Sequence, residues 1–165
     1  MKSEKLLFEY YPDKGIKIDG LTLNWKENRT DNRKKLKNSH TAKDKTFDIG
    51  DGKTLIISRK DIYKNYNSKE NYFFLKYDEN DKLQELEVHI GATIKIIDFT
   101  IGFDQPLSNF IDELKDHKIE VTEMDRGNYL IPDYKMTMAD DEHMGGNGFG
   151  LSYFYATDDI SHLTK

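Results

Sequence analysis

The chain has 165 residues, no cysteine, 33% charged and 36% hydrophobic residues, and an aromatic set of ten Tyr, nine Phe and one Trp. The lack of Cys excludes disulfides, thiolate metal centres and cysteine nucleophiles, and the aromatic content excludes a disordered chain. The net charge of −5 is segregated: residues 24–69 carry thirteen Lys/Arg against six Asp/Glu, whereas residues 70–165 carry eight against twenty.

A chain of this length is expected to form one domain over 1–165. Its first apolar patch, Leu6-Leu7-Phe8, is broken by Glu9. A secretion signal needs an apolar stretch of about 7–15 residues and a spanning helix about 20, so the expectation is a soluble, cytoplasmic protein with no membrane partner. Leu6, Phe8 and Tyr10 alternate, and Ile16, Ile18, Leu21, Leu23 and Trp25 follow. With turns at Pro12–Gly15 and Asp19-Gly20, this predicts short strands joined tightly. Thr30 is placed to cap a short helix through Arg33, Leu36 and Lys37. Residues 37–53 are polar and glycine-bearing and read as a loop. Thr54-Leu55-Ile56-Ile57 is the centre of a strand, and 61–68 reads as an aromatic connection.

Tyr72–Tyr77, a turn at Asp78–Asp81 and Leu83–Ile90 predict an antiparallel hairpin. On its second strand Leu86, Val88 and Ile90 share one face, and Glu85, Glu87 and His89 the other, an expected exposed row of carboxylates. Gly91-Ala92 reads as a turn, with Thr93–Thr100 continuing the meander. A helix is expected over Pro106–His117, capped by Asp104, its stripe of Leu107, Phe110, Ile111 and Leu114 lying on the sheet. Strands follow at Ile119–Met124, Tyr129–Ile131 and Tyr134–Met138. Then come the acidic loop Asp140-Asp141-Glu142 and a last strand, Leu151–Tyr155.

The chemistry-bearing patterns are sparse. Met144–Gly150 is glycine-rich, but a phosphate loop needs a Gly-Lys-Ser/Thr ending and a following helix, and here a Tyr/Phe strand follows, so a tight or bulged turn is the expectation. His40, His89, His117, His143 and His162 show neither His-x-His nor His-Glu-x-x-His spacing, so no metal site is expected. Gly-x-Ser-x-Gly is absent around Ser152, so no catalytic residue and no cofactor is assigned, and the protein is expected not to be an enzyme. Arg29, Arg33, Lys34, Lys35 and Lys37, with Trp25 and Tyr63 or Tyr66, form a pattern suited to tracking phosphates. The acidic remainder opposes approach to nucleic acid.

Three stretches carry a resemblance: Gly20-x-x-x-x-Trp25 leading into Arg29 and Arg33, the Tyr77-Asp78-Glu79 to Leu83-x-x-Leu86 hairpin with its acidic strand, and the Gly148-Phe149-Gly150-Leu151-Ser152-Tyr153-Phe154-Tyr155 ending. In these the chain resembles the immunity proteins of bacterial contact-dependent inhibition and polymorphic toxin systems. The resemblance implies a cytoplasmic protein that binds and neutralises a cognate toxin domain, frequently a nuclease. A cationic nuclease would be met by acids and aromatic anchors.

The expected fold is α+β, a twisted and mostly antiparallel sheet with one packed amphipathic helix and a short additional one. The expected partner-binding residues are Glu85, Glu87, Asp140, Asp141, Glu142, Tyr153 and Tyr155. The alternative is a nucleic-acid-binding domain using the basic segment 26–64.

Overall fold

The computed structural model describes residues 5–90, 92–96, 98–102, 107–125, 127–140 and 151–159. In chain order the elements begin with β1 (Leu6–Tyr11), β2 (Gly15–Ile18), β3 (Leu21–Asn24) and helix α1 (Arg29–Lys35). Next come β4 (Thr41–Ala42), β5 (Lys45–Gly50), β6 (Lys53–Lys64), β7 (Tyr72–Tyr77) and β8 (Leu83–Ile90). Then follow β9 (Ala92–Ile96), β10 (Phe99–Gly102), α2 (Leu107–Asp116), β11 (Thr122–Asp125), β12 (Asn128–Ile131), β13 (Met136–Asp140) and β14 (Leu151–Thr157). The fold is α+β with antiparallel-dominated sheets and, among the described residues, no closed barrel.

The strands divide between two sheets. One has the order β10-β9-β1-β2-β3, the other β11-β12-β13-β14-β8-β7-β6-β4, with β5 paired to β6. Alternation decides the inner faces: Leu6, Phe8 and Tyr10 of β1 are fully buried, as are Phe73 and Leu75 of β7 and Phe154 of β14. These faces meet. The Phe8 and Phe73 rings lie 5.1 Å apart edge-on, Tyr10 lies 5.9 Å from Phe154, and the Tyr10 hydroxyl donates to the Tyr134 carbonyl at 2.6 Å. Gly15 opens β2 where only glycine fits: its φ is +145°, and a Cβ there would lie 2.2 Å from the Leu23 carbonyl oxygen.

Several expectations change. Asn28, not Thr30, caps α1, its side-chain oxygen accepting the Thr30 N–H at 2.9 Å. The expected loop over 37–53 contains β4 and β5, and the expected connection at 61–68 is the last third of the twelve-residue β6 followed by a 3-10 turn, Tyr66–Ser68. The meander does not continue past β8. β9 instead enters the other sheet and pairs in parallel with β1, Leu6 opposite Ala92 and Tyr10 opposite Ile96. Tyr134 belongs to a 3-10 turn, Pro132–Tyr134, ahead of β13. The expected cap Asp104 with Pro106, and the glycine-rich stretch 144–150, lie outside the described residues.

β5 and the first half of β6 form an arm. Every residue from Thr41 to Ile57 is exposed, and β7 pairs with β6 only from Arg59 onward. At the arm's root lies a charge cluster built on buried Asp61 and Arg29. Asp61 accepts from Arg29 Nη2 at 2.7 Å and from Arg33 Nε at 2.8 Å, while Arg29 also holds Asp44 in a bidentate pair at 2.7 and 2.9 Å. Asp61 is fully buried, and the Arg29 guanidinium lies 5.4 Å from the centre of the Tyr77 ring. Among the described residues, no helix is long and apolar enough to cross a membrane.

Candidate partner-binding face

The face of the larger sheet turned away from the core is built by β6, β7, β8 and β14. Period-two alternation that buries Phe73, Leu75, Leu86, Val88, Phe154 and Ala156 turns Phe74, Glu85, Glu87, Tyr153 and Tyr155 to the other side. Register places Glu87 opposite both Phe74 of β7 and Tyr155 of β14, and Glu85 opposite Lys76 and Thr157.

Five rings form a continuous ribbon across three strands. His89 sits at its middle, stacked on Phe74 at 5.2 Å, with Tyr72 at 5.3 Å and Tyr153 at 5.5 Å edge-on. Tyr153 continues to Tyr155, nearly parallel, with centroids 6.5 Å apart. Tyr72, His89 and Tyr153 are half-buried and open to solvent in part, whereas Phe74 and the expected binding residue Tyr155 are buried, each only 6% exposed. Along the β6 side, the Lys60 ammonium sits 4.3 Å above the Phe74 ring and that of Lys64 5.4 Å above Tyr72, within cation–π range. Burial, then the nearby Lys76, holds the Lys60 ammonium below the usual lysine range.

The carboxylates are not the free row that alternation suggested. Their side chains are only 17% exposed at Glu85 and 15% at Glu87. Glu85 accepts the Tyr155 hydroxyl at 2.7 Å and lies 3.6 Å from the Lys76 ammonium; Glu87 lies 3.9 Å from that ammonium and 3.4 Å from His89 Nε2. A carboxylate flanked by broad rings must find its charge partner within the sheet, and Lys76 supplies it across the β7–β8 ladder. Burial, and then the hydrogen bond to Glu85, raises the Tyr155 phenol; burial followed by Glu87 does the same for Tyr153, so both are neutral donors at physiological pH.

Four of the seven expected binding residues thus come together: Glu85, Glu87, Tyr153 and Tyr155. Asp140 ends β13, its backbone opposite Leu151, while Asp141 and Glu142 lie outside the described residues. Tyr72, Phe74, Lys60, Lys64 and Lys76 carried no expected role, and His89 was expected on this face beside Glu85 and Glu87 but not as a binding residue. Their signal was the alternation of Tyr72, Phe74 and Lys76 with Phe73, Leu75 and Tyr77, which marks two ring-bearing faces without saying which one is covered. In the basic segment, Arg29 and Arg33 turn inward to Asp61 and Asp44, and Lys35 pairs with Glu27. No group of three or more metal-ligating side chains converges among the described residues.

Comparison of the chain with protein-family models, with characterised proteins and with solved structures returned no match.

Proposed function

We propose that this chain is an immunity protein that binds a cognate toxin domain stoichiometrically through the outer face of its larger sheet and thereby neutralises it. The observation that carries the binding role is the ring ribbon Tyr72–Phe74–His89–Tyr153–Tyr155 with Glu85 and Glu87 seated in it. Rigid aromatic anchors beside oriented charges are the composition of interaction hot spots. The toxin as partner rests on the sequence resemblance to immunity proteins. Glu85 and Glu87 suit a cationic domain such as a nuclease, because Lys76 holds them only at ion-pair distances of 3.6 and 3.9 Å, which a partner guanidinium can replace with shorter bidentate contacts.

Protein is favoured over nucleic acid as the partner because the three arginines of the basic segment, Arg29, Arg33 and Arg59, are engaged internally. The test is stopped-flow association with the C-terminal domain of a large secreted protein, should one be encoded upstream of this chain, or with the toxin domain that co-purifies with it. Glu85→Lys with Glu87→Lys should slow the on-rate about tenfold at low salt and far less at about 1 M salt, where a screening length of about 3 Å removes steering. An on-rate indifferent to both salt and charge reversal, or retention on a phosphate-bearing resin in place of complex formation, would overturn the reading.

A further inference from the structure

The β5–β6 arm has a feature that the outer face of the sheet does not explain. Over its uninterrupted register Thr46 pairs with Ile56, Phe47 with Leu55 and Asp48 with Thr54. Directly opposed residues share a face, so Phe47 and Leu55 lie on one side of the ribbon and Thr46, Asp48, Thr54 and Ile56 on the other. Ile49 and Ile57 stand at the register shifts that end this stretch. One face of this stretch is thus wholly apolar and the other is polar apart from Ile56, itself 38% exposed, close to the pattern of a strand pair with one covered face. Yet Phe47, Ile49, Leu55 and Ile57 are 55–59% exposed. A two-stranded ribbon alone is marginal in water, and a third layer on its apolar face is what makes such a unit stable. Nothing in the described part of the same chain supplies that layer.

We infer that the arm is a self-association element, and that a second copy of this chain covers it, the two ribbons packing face to face about a two-fold axis through their Phe47–Leu55 faces. Charge selects this occupant. Residues 45–58 carry Lys45, Lys53, Asp48 and Asp51, two of each sign, in a chain whose net charge is −5. The arm is thus a neutral patch on a charged molecule. Its apolar face presents no charge for a cationic or anionic partner to read, whereas it is complementary to itself, as the isologous contact of a two-fold dimer requires. The area is sufficient: four large side chains per copy, each more than half exposed, together with the ribbon backbone, would remove on the order of 1,000 Å² in total, the lower bound of a specific interface. Face-to-face ribbons stack about 10 Å apart, the spacing at which such side chains interdigitate.

Sedimentation equilibrium on the full chain, from low to high micromolar concentration, should show a monomer–dimer equilibrium that added salt does not weaken. Leu55→Lys or Phe47→Lys should raise the dimer dissociation constant at least roughly thirtyfold, because each places two ammonium groups in the interface. Thr54→Lys, on the polar face, should leave it unchanged. All three positions are exposed, so circular dichroism melts of the variants should match the unmodified protein at concentrations where it is monomeric. A second measurement needs no variant: amide exchange over residues 46–56 should slow as protein concentration rises. A chain that stays monomeric throughout, a dimer weakened equally by Leu55→Lys and Thr54→Lys, or arm exchange independent of concentration would each overturn the inference. Capture of the arm by a different protein while the chain alone remains monomeric would do the same.

Discussion

Asp61 is fully buried, yet it carries its charge. Burial alone would raise its carboxyl, but hydrogen bonds from Arg33 and Arg29 outweigh that and hold it below the usual carboxylate range; the bond from Arg29 does the same at Asp44. Asp61→Asn removes the charge that two guanidiniums share and leaves Arg29 with Asp44 at 2.7 Å and Asp81 at 3.8 Å as its counter-charges. Breaking a buried ion pair in this way costs about 3–5 kcal/mol, which urea unfolding should resolve. The sign of the pH dependence follows from depressed folded-state values. The stabilisation is complete above the unfolded carboxylate value of about 4 and is lost as pH falls through the lower folded-state values. Thermal midpoints of the unmodified protein should therefore hold steady down to about pH 5 and fall steeply below about pH 4, with a shallower acid slope in Asp61→Asn. Equal acid slopes in the two proteins would remove Asp61 from this role.

Among the elements, α2 is the one whose residues and surroundings can both be read from its pattern. Leu107, Phe110, Ile111 and Leu114 recur at helical spacing, all four are buried, and Phe110 meets Phe99 of β10 edge-on at 6.2 Å. Phe110→Ala should destabilise the fold by roughly 3–5 kcal/mol, measured by chemical denaturation. A loss well under 1 kcal/mol would mean that the helix packs loosely. The arm shows where such reading stops. Thr54–Ile57 announces a strand, but apolar alternation reports that a face is covered and not what covers it. β5 went unread because Phe47 and Ile49 are its only large apolar residues, and its Asp and Gly match turn chemistry as well as they match a ribbon. The outer sheet face was half legible for the same reason. Glu85 and Glu87 alternate with Leu86 and Val88, so their side was clear, whereas β7 bears rings on both faces and hides which ones look outward.

At the scale of the whole molecule, the least legible feature is the connection after β8. A chain that has just built a hairpin is expected to keep adding neighbours. Instead β9 crosses to lie parallel with β1, more than eighty positions earlier in sequence, and no local pattern encodes that pairing. The charge division, plain in the sequence, is likewise resolved by folding: the basic segment answers its arginines with its own Asp44 and Asp61 and with Asp81 beyond it. This topology sets the arm between two groups of strands that need one another. Everything before the Asp51-Gly52 turn supplies β1 to β5 and α1, and everything after it supplies β6 to β14 and α2. The smaller sheet takes β1, β2 and β3 from the first group and β9 and β10 from the second, and the Arg29–Asp61 pair bridges the same divide. A peptide bond cut at exposed Lys53 should therefore leave two pieces that elute as one folded particle and part only in denaturant. If they separate in plain buffer, the sheet does not hold its halves together. Expressed as two polypeptides, residues 1–51 and 52–165 should each be unfolded alone and fold on mixing, making the arm's tip a natural place to divide this protein into a complementing pair.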